Sequence, residues 1–240
     1  MNDLDNVLYE IANEGERSSL EWQYHMIRVI KQYEATKPKQ HPVGMTLTWP
    51  EGTDADLLAS PADWISPEGP LEERPVASGA KVIISDTDHL CGTCGSVAWV
   101  WESFTRGENP VLMDGYDGRA VGTGALFYKA RDPVWEAIRR NFGFARTLAR
   151  ELPLASMLPR PDLASTRYCL ASTATLAPQY VVFAPEGGTS LVDLTASDRS
   201  LSVTWLDPST GQRVAHGTVA GGATRALTAP FPGPAVLMLR

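Results

Sequence analysis

The chain has 240 residues, 43% hydrophobic and 20% charged, an ordinary globular composition with room for one large domain or two smaller ones. Its formal net charge of -7 argues against a nucleic-acid partner, and no apolar run has the length of a membrane helix. Three cysteines, Cys91, Cys94 and Cys169, are too few for a disulfide scaffold, and the opening stretch is acidic and polar where a secretory signal is basic and apolar.

The first predicted element is a β-rich run over Asn6–Asn13 that stops at Asn13-Glu14-Gly15. A Glu at the C-terminal end of a buried strand can protonate a leaving oxygen, and an Asn beside it can bind a sugar hydroxyl. The plainer reading makes Glu14 and Glu16 dipole-favoured residues at the start of the next helix. That helix is expected over Ser18–Tyr33, with Leu20, Ile27 and Ile30 at helical spacing, Ser18 or Ser19 as cap and Pro38 beyond its end. Val43–Trp49 reads as a strand. Trp49 at its end suits either a sugar-stacking platform or a rim core residue.

A polar connection with a short helical piece follows over Asp54–Pro61. Asp63–Ser66 is a short strand, residues 67–79 a Pro/Gly-rich loop, and Lys81–Ser85 a buried strand ending in Asp86-Thr87-Asp88-His89. A helix over Ser96–Phe104, a strand over Val111–Met113 ending at Asp114, and an amphipathic helix over Val134–Leu152 complete this part. Such alternation implies parallel strands with right-handed crossovers. Asn13, Glu14, Trp49, Asp86, Asp88 and Asp114 all fall at the C-terminal strand ends, where (β/α)8 barrels keep their active sites.

Beyond about Pro159 the helical periodicity ends. Seven short strands are predicted, Tyr168–Ser172, Tyr180–Phe183, Ser190–Leu194, Leu201–Leu206, Val214–Val219, Ala223–Leu227 and Ala235–Leu239, separated by turn signals such as Asp207–Gly211. This spacing reads as an antiparallel β-sandwich. The fold class expected is therefore α/β plus all-β, with a partial barrel over 1–155 and a sandwich over 156–240. Trp205, alternating with Val203, reads as core rather than as a surface binding residue.

The segments Tyr9–Glu14, His41–Thr46, Asp63–Pro67, Lys81–His89, Trp99–Asp114, Tyr180–Gly188 and Val203–Gly211, in that order, resemble the C-terminal half of a clan-A glycoside hydrolase barrel. More narrowly they are similar to the DUF4038, apiosidase-like type with a C-terminal collagen-binding-type β-sandwich. The resemblance implies that Asn6–Asn13 is barrel strand four and that Lys81–Ser85 is strand seven. Glu14 then matches the acid/base, Asn13 its sugar-binding neighbour and Asp86 the nucleophile. The clan pattern has Glu at the last position, so Asp86 is a departure, and Asp88 is the alternative. Trp49, Asp88, His89 and Asp114 are candidate substrate contacts; for His89 a structural hydrogen bond, and for Asp114 a loop cap, are the competing readings.

The implied partner is a carbohydrate, with no cofactor, since two carboxylates suffice for glycoside hydrolysis. The implied full-length protein is exported or periplasmic. Cys91-Gly92-Thr93-Cys94 is the spacing of a dithiol redox site or half a zinc site, but no second pair completes a metal set. A (β/α)8 barrel takes about 250 residues. Strands four to eight alone would leave two open sheet edges, so a missing N-terminal half-barrel is expected, as a longer chain or a partner. The competing class is a catalytically dead fragment that binds carbohydrate or matrix.

Overall fold

The computed structural model describes residues 2–92, 94–113, 133–172 and 178–240. Five strands, β1 (Tyr9–Glu10), β2 (Val43–Thr46), β3 (Trp64–Ser66), β4 (Val82–Asp86) and β5 (Asn109–Val111), form one sheet in sequence order. Every pairing is parallel, with Glu10 opposite Gly44, Gly44 opposite Trp64, Ile65 opposite Ile83, and Asp86 opposite Val111. Helices α1 (Leu20–Glu34) and α2 (Asp54–Ala59) return the chain after β1 and β2. After β4 come α3 (Asp88–Cys91) and α4 (Val97–Thr105), and α5 (Pro133–Ala149) follows β5.

Alternation along the strands separates two faces. Val43, Met45, Ile65 and Ile83 turn to one side and pack with Tyr24 and Ile27 of α1 and Leu57 of α2. Burial of each such side chain contributes roughly 1.5–3 kcal/mol. α2 is started by a capping box, in which Thr53 Oγ1 accepts the Asp56 N–H and the Asp56 carboxylate accepts the Thr53 N–H. The other face carries Glu10, Thr46, Trp64, Ser66, Val82, Ile84, Asp86 and Val111; on it Val82 and Val111 are 52% and 42% exposed.

The element boundaries depart from the sequence expectation at several places: β2 ends at Thr46 rather than Trp49 and α5 at Ala149 rather than Leu152, and β1, β5 and α1 differ for reasons that the hydrogen bonds give. β1 pairs only over Tyr9–Glu10, because the Ala12 carbonyl and the Glu14 N–H are both engaged by the Thr46 hydroxyl instead of the β2 backbone. β5 lies at Asn109–Val111 rather than Val111–Met113, since the Met113 N–H turns away to Thr87 Oγ1. α1 begins after a 3-10 turn at Arg17–Ser19, and Ser19 makes no side-chain cap. At α4, by contrast, Ser96 Oγ accepts the Trp99 N–H as a true cap.

The C-terminal part is antiparallel. A six-stranded sheet runs β11 (Arg213–Ala220), β10 (Ser200–Leu206), β13 (Ala235–Leu239), β8 (Gln179–Ala184), β7 (Cys169–Ser172), β6 (Leu158–Pro159), and a separate pair joins β12 (Thr224–Thr228) to β9 (Thr189–Asp193). One face of the larger sheet, with Tyr180, Val182, Val203, Trp205 and Leu237, packs on Val192, Leu194 and Leu227. Its other face, with Leu170, Val181, Phe183, Val236 and Met238, packs on Trp101 and Phe104 of α4 and on Ile138 and Leu148 of α5. Burial on both sides is why β13 reads Ala-Val-Leu-Met-Leu without alternation. Trp205 is fully buried, as the core reading expects. Among the described residues no helix is long and apolar enough to cross a membrane.

Candidate active site

At the C-terminal end of the parallel strands, the open face forms a cavity of about 260 Å³ lined by Leu8, Glu10, Asn13, Thr46, Trp64, Ser66, Ile84, Asp86, His89 and Val111. The sheet builds this wall directly. Glu10, Thr46, Ser66 and Asp86 come from four adjacent strands and share one face by the two-residue period.

The loop after β1 is held in place by β2. Thr46 Oγ1 accepts the Glu14 N–H at 3.1 Å and donates to the Ala12 carbonyl at 3.2 Å. Glu14 adopts φ 47°, a left-handed conformation that non-glycine residues seldom adopt. Its carboxylate projects to the exposed rim. The Trp49 N–H donates to the Gly15 carbonyl at 3.0 Å, which ties the end of β2 to the same loop. Trp49 is 56% exposed and stands outside the cavity wall.

The turn after β4 supplies the facing groups. Asp86 Oδ1 accepts the Asp88 N–H at 3.0 Å, and the Thr87 carbonyl accepts the Leu90 and Cys91 N–H groups, which makes the single turn of α3. The His89 imidazole is buried, with Nδ1 2.9 Å from Ser66 Oγ, and its carbonyl accepts the Gly69 N–H at 3.2 Å. Cys91 and Cys94 are joined by a disulfide just beyond α3, while Cys169 is a free thiol buried in the antiparallel core, where burial pushes its pKa up to about 12.

Carboxylate oxygens of Glu14 and Asp88 and a ring nitrogen of His89 lie within 4.8 Å of one another. The structure thus brings Glu14, Asp88 and His89 together and sets Asn13 and Asp86 in the adjoining cavity wall. Asp114 lies outside the described residues.

The sequence reading did not single out several residues of this site. Glu10 lines the cavity although its side chain is exposed at the mouth; partial desolvation there raises its pKa and Asp86 adds to the rise, against Thr46 and His89. Glu68 is similarly raised by burial, offset by His89 and raised further by Glu14. Trp64 packs flat over Gly44, where a Cβ would run into the indole ring. The signal for Glu10, Trp64 and Ser66 was the strand period itself: each stands one residue from a helix-facing apolar neighbour. A larger cavity of about 640 Å³ lies at the N-terminal ends of β4 and β5, walled by Phe104, Phe142, Met157 and Leu170 with Lys81, Glu108 and Arg146; it is mostly apolar and brings together none of the site carboxylates.

No protein-family model matches the chain, and no curated protein matches it. Among solved structures it is similar to one described as a glycoside hydrolase, with TM-score 0.67 and 10% identity over 99% of this chain and 65% of that one. It is also similar to a glycoside hydrolase family 5 protein from Bacteroides vulgatus ATCC 8482, with TM-score 0.66 and 13% identity over 99% of this chain and 63% of that one. A GH30 endoxylanase from Clostridium papyrosolvens C71 aligns with TM-score 0.50, 9% identity, and coverage of 100% and 67%. At such identities the likeness is one of fold. The chain spans less than two thirds of the length of the first two structures.

Proposed function

We propose that the chain carries the catalytic carboxylates of a glycoside hydrolase that cleaves O-glycosidic bonds in complex glycans. The observation that carries this reading is the meeting of Glu14, Asp88 and His89 at the C-terminal ends of parallel strands, beside a cavity walled by Asp86 and Asn13. In this reading β1–β5 are strands four to eight of a (β/α)8 barrel, residues 1–155 belong to that barrel, and 156–240 form a β-sandwich domain. The ordered sequence segments favour the DUF4038, apiosidase-like type.

Glu14 donates its proton to the glycosidic oxygen as the C1–O bond breaks. Asp86, the last residue of β4 on the cavity face, attacks C1 and forms a glycosyl ester. Glu14 then takes a proton from the water that hydrolyses the ester, and Asp86 is released. Asn13 binds a sugar hydroxyl, His89 holds the turn or a second hydroxyl, and Trp49 offers a stacking face at the rim. Asp88 is the second reading for the nucleophile, favoured by its closeness to Glu14. Retaining enzymes hold their carboxyl groups about 5–5.5 Å apart.

The exposed Val82 and Val111 and the edges of β1 and β5, unpaired among the described residues, suit coverage by further strand–helix units, and activity is expected of the assembly that contains them. The test is hydrolysis of an aryl-glycoside panel by the longest natural form of the protein, with Glu14→Gln, Asp86→Asn and Asp88→Asn. Azide rescue of Asp86→Asn supports the main reading, and rescue of Asp88→Asn the second. Wild-type rates in all three variants overturn both. Glycan binding without hydrolysis by the wild type points to a binding module.

A further inference from the structure

We infer that Glu14, Asp88 and His89 form a binding site for a divalent cation of the zinc class. Their three candidate ligand atoms lie within 4.8 Å of one another. Zinc takes imidazole nitrogen and carboxylate oxygen at about 2.0–2.2 Å in a tetrahedral shell, which sets its donors about 3.3–3.6 Å apart, and rotation of the exposed Glu14 and half-buried Asp88 side chains draws the three together.

The observation that separates this group from an ordinary acidic cluster is the histidine. His89 is 8% exposed, and among the described residues its side chain makes one hydrogen bond, at Nδ1, to Ser66 Oγ. The hydroxyl can accept the Nδ1 proton, and in that tautomer Nε2 presents its lone pair to a cation. A buried imidazole held at one nitrogen and left free at the other is how proteins orient a metal-binding histidine. The charge around it agrees: Glu10, Glu68 and Asp86 add three carboxylates to Glu14 and Asp88, against Arg74, whose charge acts on Glu68 and Asp86. One imidazole with two carboxylates prefers zinc-class ions over magnesium or calcium, which take all-oxygen shells. The Cys91–Cys94 disulfide removes the thiolates that would otherwise compete for the ion.

Cation binding rests on this geometry alone. Its consequence, that the ion occupies Glu14 and blocks glycoside hydrolysis, rests on the function proposed above. The test is calorimetric titration of the full chain, without reductant, with zinc chloride. One equivalent is expected to bind, with affinity falling about tenfold or more in Glu14→Gln and in Asp88→Asn, and unchanged in the remote, exposed His216→Ala. Glu14 is exposed, so its variant keeps the fold; circular dichroism checks this for both. Magnesium and calcium chloride are expected to give no equivalent at the same concentrations. The inference is overturned if zinc does not bind, if it binds both carboxylate variants as it binds the wild type, or if calcium binds equally well. Each readout is independent of whether any glycan is cleaved.

Discussion

Ser66 Oγ lies 2.9 Å from His89 Nδ1, and this contact joins the end of β3 to the short helix that carries Asp88. Both residues are buried, so removing the hydroxyl leaves an imidazole nitrogen without a partner. Ser66→Ala is expected to lower unfolding free energy by about 1–2 kcal/mol in denaturant titration. Ser66→Thr keeps an oxygen at the same place and is expected to recover part of the loss. Equal stability of Ser66→Ala and wild type would count against the contact.

Gly44 and Trp64 are neighbours across β2 and β3, and the indole covers the glycine. Gly44→Ala is expected to push Trp64 out of the cavity wall, at a cost of about 1–3 kcal/mol typical of overpacking. Intrinsic tryptophan fluorescence and a thermal melt report the two effects together. An unchanged spectrum would mean that the indole does not rest there.

A buried cluster ties the start of the chain to the end of α1. Glu34 Oε2 accepts the His41 N–H at 2.6 Å, and Oε1 sits 2.8 Å from His41 Nδ1, while Asn2 and the Tyr9 hydroxyl also donate to Oε1. Burial pushes the Glu34 pKa up, but these hydrogen bonds outweigh it and hold the group at about 2. His41 is raised, first by the Leu4 carbonyl and then by Glu34. The depressed carboxylate stabilises the fold above its unfolded value of 4.5, and this is lost as pH falls toward about 2. The raised imidazole stabilises fully below its unfolded 6.5, and this is lost as pH rises through the folded value. Stability is therefore expected to peak between those two unfolded values, and Glu34→Gln to flatten the curve on both sides.

Glu10 has the opposite sign. Its raised pKa means that the folded state holds the proton more tightly than the unfolded chain, so the carboxylate destabilises the fold at neutral pH. Glu10→Gln is expected to raise the melting temperature at pH 7 and to leave it unchanged at pH 3. A lower melting temperature at pH 7 would show that the charge is compensated.

Trp205 is fully buried between the six-stranded sheet and the β9–β12 pair, and its indole N–H has no hydrogen-bond partner among the described residues. Trp205→Ala is expected to cost about 3–5 kcal/mol by chemical denaturation. Trp205→Phe keeps much of the volume and removes the unsatisfied donor, so its cost is expected to be clearly smaller. Similar losses in the two variants would place the energetic weight on the indole itself.

Local periodicity in the sequence determined most of the element order. The parallel strands at Val43, Trp64 and Val82, the helices starting near Leu20 and Val97, and all seven antiparallel strands beyond Tyr168 were legible because burial imposes a period of two or 3.6 on the residues themselves. The same reading placed Asn13, Glu14, Asp86, Asp88 and His89 at strand ends. It did not determine which of them meet. Thr46, thirty-two residues away, bends the chain at Glu14, and Ser66 holds His89 from another strand. Those are contacts between distant residues, and no local pattern encodes them. Glu10 and Trp64 became part of the site only when pairing set the register of their strands, because register decides which face of a sheet a side chain occupies.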